Sequence, residues 1–226
     1  MVSELQKEIT KKLTENGAAK VGFCRIPSQV QLPFSELPYA VSIAVKLPDA
    51  VLKTIEDRPS IMYFQQYRTA NARLDQLAFD AATLIERAGG QAFPIAASQS
   101  TADDKESFRG VFPHKTAAVA SGLGFIGRSG LLINPEHGAK LRFATVLTDI
   151  PFEAEAEIIE NGCGECTACR DACPAKAITG ALYVPGASRD TVFDAAKCSA
   201  NMKTYKDVGR GAVCGICLRV CPYSKL

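Results

Sequence analysis

The chain of 226 residues is long enough for one domain of ordinary size and a small second unit. Its formal net charge of +2 is too small to indicate a nucleic acid or an anionic membrane as a partner. No apolar run approaches the ~20 residues of a membrane span, and the N-terminus lacks the apolar core of a signal peptide. We therefore expect a cytoplasmic protein, in which nine cysteines favour metal ligation over disulfides.

The first two-thirds of the chain mix helix and strand patterns. Residues 3–6 (SELQ) have the pattern of a capping box, and Gly17 ends the helix that follows. A long helix is predicted over about 60–88 and a shorter one over 114–121, with strands over 19–23, 39–47, 91–98 and 140–150. The alternation in 39–47 predicts a half-buried strand. This irregular order indicates an α+β or α/β unit with a central sheet over 1–158, followed by a separate unit over 159–226.

Eight of the nine cysteines follow residue 162. The stretch CGECTACRDACP (163–174) has the spacing C-x2-C-x2-C-x3-C-P, which is typical of two-cluster ferredoxins. A second run ends in another cysteine–proline pair and matches the first if its leading cysteine lies across an insertion. The eight residues are Cys163, Cys166, Cys169, Cys173, Cys198, Cys214, Cys217 and Cys221.

In such ferredoxins the last cysteine of each run ligates the other cluster. Pseudo-symmetry then assigns the first cluster to Cys163, Cys166, Cys169 and Cys221, and the second to Cys173, Cys198, Cys214 and Cys217. Two zinc sites or four disulfides are the alternatives, but a third cysteine at this spacing would be superfluous for zinc. We therefore predict two [4Fe–4S] clusters. Cys24, within KVGFCRI, is expected to be a small buried apolar residue.

The segment GLGFIG (122–127) satisfies the pattern G-x-G-x-x-G. A dinucleotide-binding turn requires a strand before this pattern and a helix after it, whereas here a helical segment precedes and a strand-like segment, GLLIN, follows. A Rossmann interpretation is therefore excluded. The turn either ends a helix tightly or brings the backbone close to a flat, bulky cofactor.

The segment HKTAAVASGLGFIGRSGLLINPEHGAKLRFATVLTDIPF (114–152), together with the eight cysteines, resembles epoxyqueuosine reductases and their shorter relatives. Reductive dehalogenases share this general plan. The resemblance covers roughly residues 110–223. It implies a nitroreductase-like first domain, a bacterial-ferredoxin-like two-cluster module, and cobalamin bound between them. The implied cofactor contacts are His114, Lys115, Gly122, Gly124, Phe125, Ile126, Gly127, Arg128, Ser129 and Gly130.

The resemblance also implies an activity. Family members reduce an epoxide in a modified tRNA base to an alkene, using cobalt in low oxidation states. Electrons from a low-potential ferredoxin or flavodoxin would enter the more exposed cluster, pass to the second cluster and then reach cobalt. Two alternatives remain open: a reductive activator of corrinoid proteins, and a plain two-cluster electron carrier. The macromolecular partner is accordingly tRNA or a corrinoid protein.

Two features depart from the family pattern. Alignment on the glycine turn puts Phe108 where the family has an aspartate thought to protonate the leaving oxygen, so Asp103, Asp104 or Glu106 could substitute only if the loop shifts. Full-length family enzymes also continue into a helical-repeat domain that helps to hold tRNA, which we do not expect in a chain ending at Leu226. Both features argue against tRNA as the substrate.

A few further side chains are candidates for catalysis. His114 is either a helix-end residue, or a proton donor or hydrogen-bond donor above the cofactor. Tyr63 and Tyr67, one helical turn apart, are either core residues or acids that protonate the substrate. Arg128 and Lys140 would either meet phosphate or propionamide groups or be solvated. His137, in a predicted turn, is expected to be structural. The candidates for catalysis are therefore His114, Tyr63 and Tyr67.

Overall fold

The computed structural model describes residues 2–98, 108–153 and 157–226. The first part contains helices α1 (Val2–Glu15), α2 (Asp49–Leu52), α3 (Ile61–Arg87) and α4 (His114–Ala120). Its strands are β1 (Lys20–Arg25), β2 (Tyr39–Lys46), β3 (Ala92–Ile95), β4 (Phe125–Ile126), β5 (Leu132–Ile133) and β6 (Leu141–Thr148). The last part contributes the short helices α5 (Ala168–Asp171), α6 (Ala195–Met202) and α7 (Ile216–Arg219). The predicted mixture of helices and strands is confirmed.

Four strands form an antiparallel sheet in the order β1-β2-β6-β3, and β4 pairs with β5 in a separate hairpin. The prediction that β2 is half buried is wrong, because five consecutive residues, 40–44, are buried. The cause is that β2 is a central strand covered on both faces. Helix α3 packs against β2, β3 and β6, and helix α4 packs against β1, β2 and β6.

Helix α3 begins and ends where its sequence dictates. The Ser60 hydroxyl accepts a hydrogen bond from the Tyr63 amide at 3.0 Å, which satisfies one of the free N–H groups of the first turn. Gly89, at φ +87°, follows the last turn in the left-handed conformation that favours glycine. The predicted apolar face of α3 packs with α1 and the sheet, and it includes Leu74, Leu77, Ala78, Ala81, Leu84 and Ile85.

The boundary expected near residue 158 separates two stretches of sequence that share a hydrophobic core. One cluster joins Leu52, Ile55 and Tyr63 of the first part to Val213 and Ile216 of the cysteine-rich part. Glycines permit the close approach: a Cβ on Gly215 would lie 2.7 Å from the Tyr63 ring. The two parts therefore pack as one unit, with α3 lying against the second cysteine run.

None of the helices within the described residues is long and apolar enough to cross a membrane.

Candidate functional site

The fold brings the cysteines together in two groups. Burial, and then the nearby thiols of Cys163 and Cys221, raise the pKa of Cys169 to about 11. Cys221 has Cys166 as a second neighbour besides Cys163. These four residues are the ligands that pseudo-symmetry assigns to the first cluster, and we call them the first cysteine group.

The other four cysteines form the second group. Burial raises the pKa of Cys198 to about 11, with further contributions from the neighbouring thiols of Cys214 and Cys173. The pKa of Cys217 is raised by burial and then by the neighbouring thiols of Cys214 and Cys198. Thiols held close together in a buried place resist ionisation unless a cation replaces their protons, which is the condition that metal ligation meets.

The two cysteine groups favour iron–sulfur clusters over single metal ions. Within the part of the chain that the structure describes, no three His, Cys, Asp or Glu side chains are placed to hold one metal ion. A tetrahedral zinc site needs four ligands at about 2.0–2.3 Å from one centre. Four cysteines around an iron–sulfur cube each ligate a different iron and lie further apart. Two sets of four thiols are the donors that two [4Fe–4S] clusters need.

The glycine turn lies against the first cysteine group. Helix α4 precedes the turn, strand β4 lies within it, and strand β5 follows. This is the order that excluded a Rossmann fold. A Cβ on Gly127 would lie 3.2 Å from the Cys163 Sγ and 2.9 Å from the Ile133 Cγ1. A Cβ on Gly124 would overlap the Ile133 carbonyl oxygen. The glycines therefore allow the backbone to approach the hairpin and a cluster ligand.

Other residues of the turn are held by protein groups. Arg128 donates hydrogen bonds to the carbonyl oxygens of Gly164 and Gly180, so its guanidinium joins the turn to the cysteine-rich part. A contact of Arg128 with a phosphate or propionamide group stays a prediction. The rest of the turn is placed as follows: Gly122 and Gly130 have φ of +70°, Phe125 and Ser129 are buried, and the Ile126 carbonyl accepts a hydrogen bond from Asn161 Nδ2 at 3.0 Å.

A cavity of about 310 Å³ lies between α3, the start of α4, β5 and β6, and we call it the central cavity. Its polar walls include Tyr67, His114, Lys115 and Arg142, and the rest is largely apolar. The structure thus brings together three of the predicted site residues. Arg142 was missed from the sequence, because its place in the alternating pattern of β6 predicts only a surface position.

His114 has both ring nitrogens engaged. Nε2 lies 2.9 Å from the Ala96 carbonyl oxygen, which can only accept a hydrogen bond, so Nε2 carries the proton. Nδ1, 2.9 Å from the Thr145 hydroxyl, then accepts from it. Burial lowers the pKa of His114, which keeps the ring neutral. This arrangement favours the positioning role over proton donation, which stays a prediction.

The two tyrosines differ in their surroundings. Their rings meet edge to face at 6.3 Å, yet only Tyr67 borders the central cavity. Tyr63 is buried beside the second cysteine group, where burial raises its pKa far above the ordinary value and Cys217 and Cys214 add to the effect. Tyr63 is therefore a poor acid that packs against the second group, whereas the Tyr67 phenol can reach a ligand in the cavity.

Lys115 is the partly buried cation at the base of the central cavity. Its Nζ donates a hydrogen bond to the Gly130 carbonyl oxygen at 2.5 Å, which ties α4 to the glycine turn. Burial, and then the positive charges of Arg189 and Arg142, lower its pKa to about 8, although the Cys217 thiol opposes the shift. Lys115 therefore lies within electrostatic reach of both the cavity cations and the second cysteine group.

Several remaining expectations concern residues away from the cavity. Lys140 is buried and its Nζ lies 3.1 Å from Asp49 Oδ1, so neither solvation nor a phosphate contact describes it. Cys24 is buried as expected, with Sγ 3.6 Å from the Ala117 carbonyl oxygen. His137 lies in a turn closed by hydrogen bonds to the Asn134 side chain, as expected of a structural residue.

The position of the family aspartate is only partly described. Phe108 is partly exposed, with φ +50°, and its carbonyl oxygen accepts a hydrogen bond from Arg189 Nη1 at 3.0 Å. Asp103, Asp104 and Glu106 lie outside the described residues. The proton donor therefore stays a prediction.

Comparison with known proteins identifies the cysteine-rich part first. Residues 162–224 match the 4Fe-4S double cluster binding domain. Over 110 residues the chain is 34% identical to an epoxyqueuosine reductase from Lactococcus garvieae, a match covering 48% of this chain and 31% of that protein. Over about half of its length the chain is thus similar to epoxyqueuosine reductases. This confirms the resemblance inferred from the glycine turn and the cysteines.

Solved structures of other proteins share the fold of this chain. An epoxyqueuosine reductase solved with an epoxyqueuosine-modified tRNA-Tyr stem loop superposes with a TM-score of 0.64 at 21% identity, covering 100% of this chain and 66% of that one. A reductive dehalogenase, described as suggesting a mechanism for B12-dependent dehalogenation, gives 0.69 at 22% identity and covers 92% and 30%. The chain spans about a third of the length of the curated relatives it matches.

Proposed function

We propose that this protein is an iron–sulfur oxidoreductase that passes electrons from two [4Fe–4S] clusters to a cobalamin-type corrinoid, for reduction of a substrate. The observation that carries the proposal is the position of Cys217. This member of the second cysteine group lies within electrostatic reach of Tyr63 and of Lys115, which borders the central cavity. Reducing power held at the second group is therefore next to the place where a substrate can bind.

The two groups differ in their access to solvent. Of the nine cysteines, all within the described residues, only Cys166 is exposed, and it belongs to the first group. Cys217 of the second group is only partly exposed, and its neighbour Cys214 packs in a hydrophobic cluster with Tyr63 of α3. This difference in exposure supports entry of electrons at the first group, from a low-potential ferredoxin or flavodoxin. Delivery would then occur from the second group.

The cavity residues fit a corrinoid in their chemistry. Both ring nitrogens of His114 are engaged with protein groups, so this residue would contact a bound corrinoid without ligating its metal. The wall is about equally polar and apolar, so it would contact both the amide side chains and the ring of a corrin. A corrinoid is larger than 310 Å³, so it would extend beyond this cavity. When bound, such a cofactor supplies cobalt in low oxidation states.

The protein's own groups have separable roles. Tyr67 lies at the cavity wall, where its phenol can donate a proton to a bound substrate. Lys115 fixes the glycine turn through Gly130 and contributes positive charge. His114 lines the cavity, and its ring is fixed by hydrogen bonds with Ala96 and Thr145. The nitroreductase-like description of the first part belongs to this proposal, as does epoxyqueuosine in tRNA as the substrate.

The proposal is tested with protein reconstituted anaerobically with iron and sulfide. Two clusters of four irons predict eight irons and eight sulfides per chain. Addition of cob(II)alamin should change its visible and electron paramagnetic resonance spectra, and dithionite should then yield the cob(I) form. Cys217→Ala should remove the second cluster and stop cobalt reduction. Cys24→Ala, which removes a buried thiol outside both groups, is the matched control and should leave both intact.

The outcomes separate the alternatives. Full metal content with no spectral change and no stabilisation by cobalamin would favour a plain electron carrier. Turnover of tRNA bearing epoxyqueuosine would support the reductase activity, whereas cobalamin reduction without turnover would favour activation of a corrinoid protein. Iron far below eight per chain would overturn the proposal as a whole.

A further inference from the structure

Tyr63 is a buried phenol at the contact between the two parts of the chain. Helix α3 carries it, and its ring packs in the hydrophobic cluster that also includes Cys214 and Ile216. Only 5% of the residue is exposed. A Cβ on Gly215 would lie 2.7 Å from Cε1 and 2.9 Å from Cζ of the ring. Glycine therefore lets the loop between Cys214 and Cys217 pass directly against the hydroxyl end of Tyr63.

The hydroxyl of Tyr63 lacks an acceptor in the protein. The backbone amide of the residue donates to Ser60 Oγ at 3.0 Å, and its ring meets Tyr67 edge to face. Within the parts of the chain that the structure describes, no protein group accepts a hydrogen bond from the hydroxyl. Buried tyrosine hydroxyls usually find an acceptor, because an unmet donor costs free energy. The hydroxyl therefore points to an acceptor outside the polypeptide.

The surroundings of Tyr63 keep its phenol protonated. Burial raises its pKa far above the ordinary value, Arg142 opposes this shift, and Tyr67, Cys217 and Cys214 add to it. The phenol is therefore a hydrogen-bond donor at neutral pH. The same interactions place it within electrostatic reach of two members of the second cysteine group.

An iron–sulfur cluster in the second group would supply the acceptor. The sulfurs of such a cluster accept hydrogen bonds, and these bonds are among the factors that set its reduction potential. Reduction adds one negative charge to the cluster. A hydrogen bond to sulfur therefore stabilises the reduced form more than the oxidised form, and it does so most strongly where water does not screen the charge.

Burial acts on the second group in the opposite direction. The pKa values of Cys198, Cys214 and Cys217 are all raised by burial, because this place disfavours negative charge. A cluster bound there becomes harder to reduce for the same reason. The first group includes the exposed Cys166. Electrons that enter at the first group therefore reach the second more readily if a donor offsets the effect of burial.

We propose that the Tyr63 phenol donates a hydrogen bond to a sulfur of the second cluster and raises the reduction potential of that cluster. Tyr63 is then a positioning residue that acts through the cluster, and not a group that touches the substrate. The inference rests on the proposed function for the presence of the second cluster. It does not depend on the identity of the substrate.

The test is an anaerobic reductive titration of the reconstituted full chain, followed by electron paramagnetic resonance. Cys217→Ala, which should lose the second cluster, assigns the signals. Tyr63→Phe keeps the ring and removes the donor, so the potential of the second cluster should become more negative. The distribution of an electron between the clusters should shift about tenfold toward the first, which corresponds to ~59 mV for a one-electron couple.

Tyr223→Phe is the matched control beside the first cysteine group. The Tyr223 hydroxyl already donates to the Gly162 carbonyl oxygen at 3.0 Å, so its removal should leave the potential of the second cluster unchanged. Iron analysis shows whether each variant keeps both clusters. An unchanged potential of the second cluster in Tyr63→Phe, at full iron content, would overturn the inference.

Replacement of Tyr63 by 3-fluorotyrosine provides a second test. Fluorine makes the phenol more acidic and hence a stronger donor, while the ring and the hydroxyl remain. The potential of the second cluster should become less negative, which is the opposite of the change in Tyr63→Phe. A purely structural role does not produce shifts of opposite sign. No shift, or a shift to a more negative potential, would overturn the hydrogen bond even if Tyr63→Phe failed to retain its clusters.

These outcomes are distinct from those that test the proposed function. Unchanged potentials in both Tyr63 variants, with full iron content and intact cobalamin reduction, would overturn the role of Tyr63 and leave the proposed function standing. Iron far below eight per chain in the native protein would overturn both.

Discussion

The guanidinium of Arg142 lies 4.2 Å from the centre of the Tyr67 ring, and this contact joins strand β6 to helix α3 at the wall of the central cavity. A cation over an aromatic face is stabilised by the ring electrons. Tyr67, which carries this ring and a phenol group, borders the cavity. Packing and chemistry at this residue can therefore be separated by two substitutions.

Tyr67→Phe keeps the ring and removes the phenol, whereas Tyr67→Leu removes both. We expect Tyr67→Phe to retain the free energy of unfolding within ~0.5 kcal/mol and to lower substrate turnover at least tenfold. Tyr67→Leu should lose about 1 kcal/mol of stability as well, because Arg142 loses its aromatic partner. Thermal unfolding and reductive turnover measure the two effects. Unimpaired turnover in Tyr67→Phe would show that another group donates the proton.

Gly127 has no room for a side chain next to the first cysteine group. An added methyl group would lie 2.9 Å from Ile133 Cγ1 and 3.2 Å from the Cys163 Sγ, so one of them must move. We expect Gly127→Ala to displace Cys163 and to lose the first cluster selectively, halving the iron content. Iron analysis and electron paramagnetic resonance of the reduced protein measure this loss.

The matched control for Gly127 is Gly186→Ala, in the same cysteine-rich part. Gly186 has φ +84° with nothing within 4 Å of an added Cβ, so alanine strains the backbone there without touching a ligand. It should keep both clusters with a small loss of stability. Equal iron content in Gly127→Ala and the native protein would contradict the proposed contact between the turn and the first cluster.

The residues recognised from sequence are those whose chemistry depends on local spacing. The cysteine runs encode their grouping within a few positions, because a tight loop presents three thiolates to one cluster. Arg142 and Asp49 were missed, since each acts through a partner distant in sequence: Tyr67 for one and Lys140 for the other. The alternation of β2 likewise shows small residues at every second position but does not reveal that α4 covers them.

Asp49 and Lys140 form an ion pair of unequal exposure. Lys140 is buried, whereas the Asp49 side chain is partly exposed, and their atoms lie 3.1 Å apart. Although burial raises the pKa of Asp49, hydrogen bonds from Lys140 and Lys46 outweigh that effect and lower it below 3.8. A carboxyl whose folded pKa is lowered stabilises the protein above its unfolded pKa, and this contribution is lost as the pH falls through the folded pKa.

Asp49→Asn should therefore lower the free energy of unfolding by about 1 kcal/mol at neutral pH, because it leaves the Lys140 ammonium buried without an anion. The difference from the native protein should shrink below pH 4. Lys46→Met is the control, since it removes the more exposed cation from the same carboxylate and should cost less. If Lys46→Met lost more stability than Asp49→Asn, the stabilisation would come from Lys46 and not from the pair of Asp49 with Lys140.

His114 provides a test of acid sensitivity near neutral pH. Burial lowers its pKa, so the folded protein resists protonation of the ring while the unfolded chain takes up a proton near pH 6.5. Unfolding therefore binds protons below this pH, and stability should fall as the pH drops from 7.5 to 5.5. The neutral ring, donating from Nε2 to Ala96 and accepting at Nδ1 from Thr145, is the form that the fold stabilises.

His114→Gln should reduce this pH dependence, because glutamine does not titrate in the range and retains hydrogen-bonding groups. His137→Gln is the control: His137 also has a pKa lowered by burial, but it lies in a turn, where the Glu136 carboxylate opposes the shift. Thermal midpoints of the anaerobically reconstituted protein at each pH measure the effect. If His137→Gln removed more of the pH dependence than His114→Gln, the charged form of His114 would be tolerated in the folded protein, and His114 would then be available as a proton donor after all.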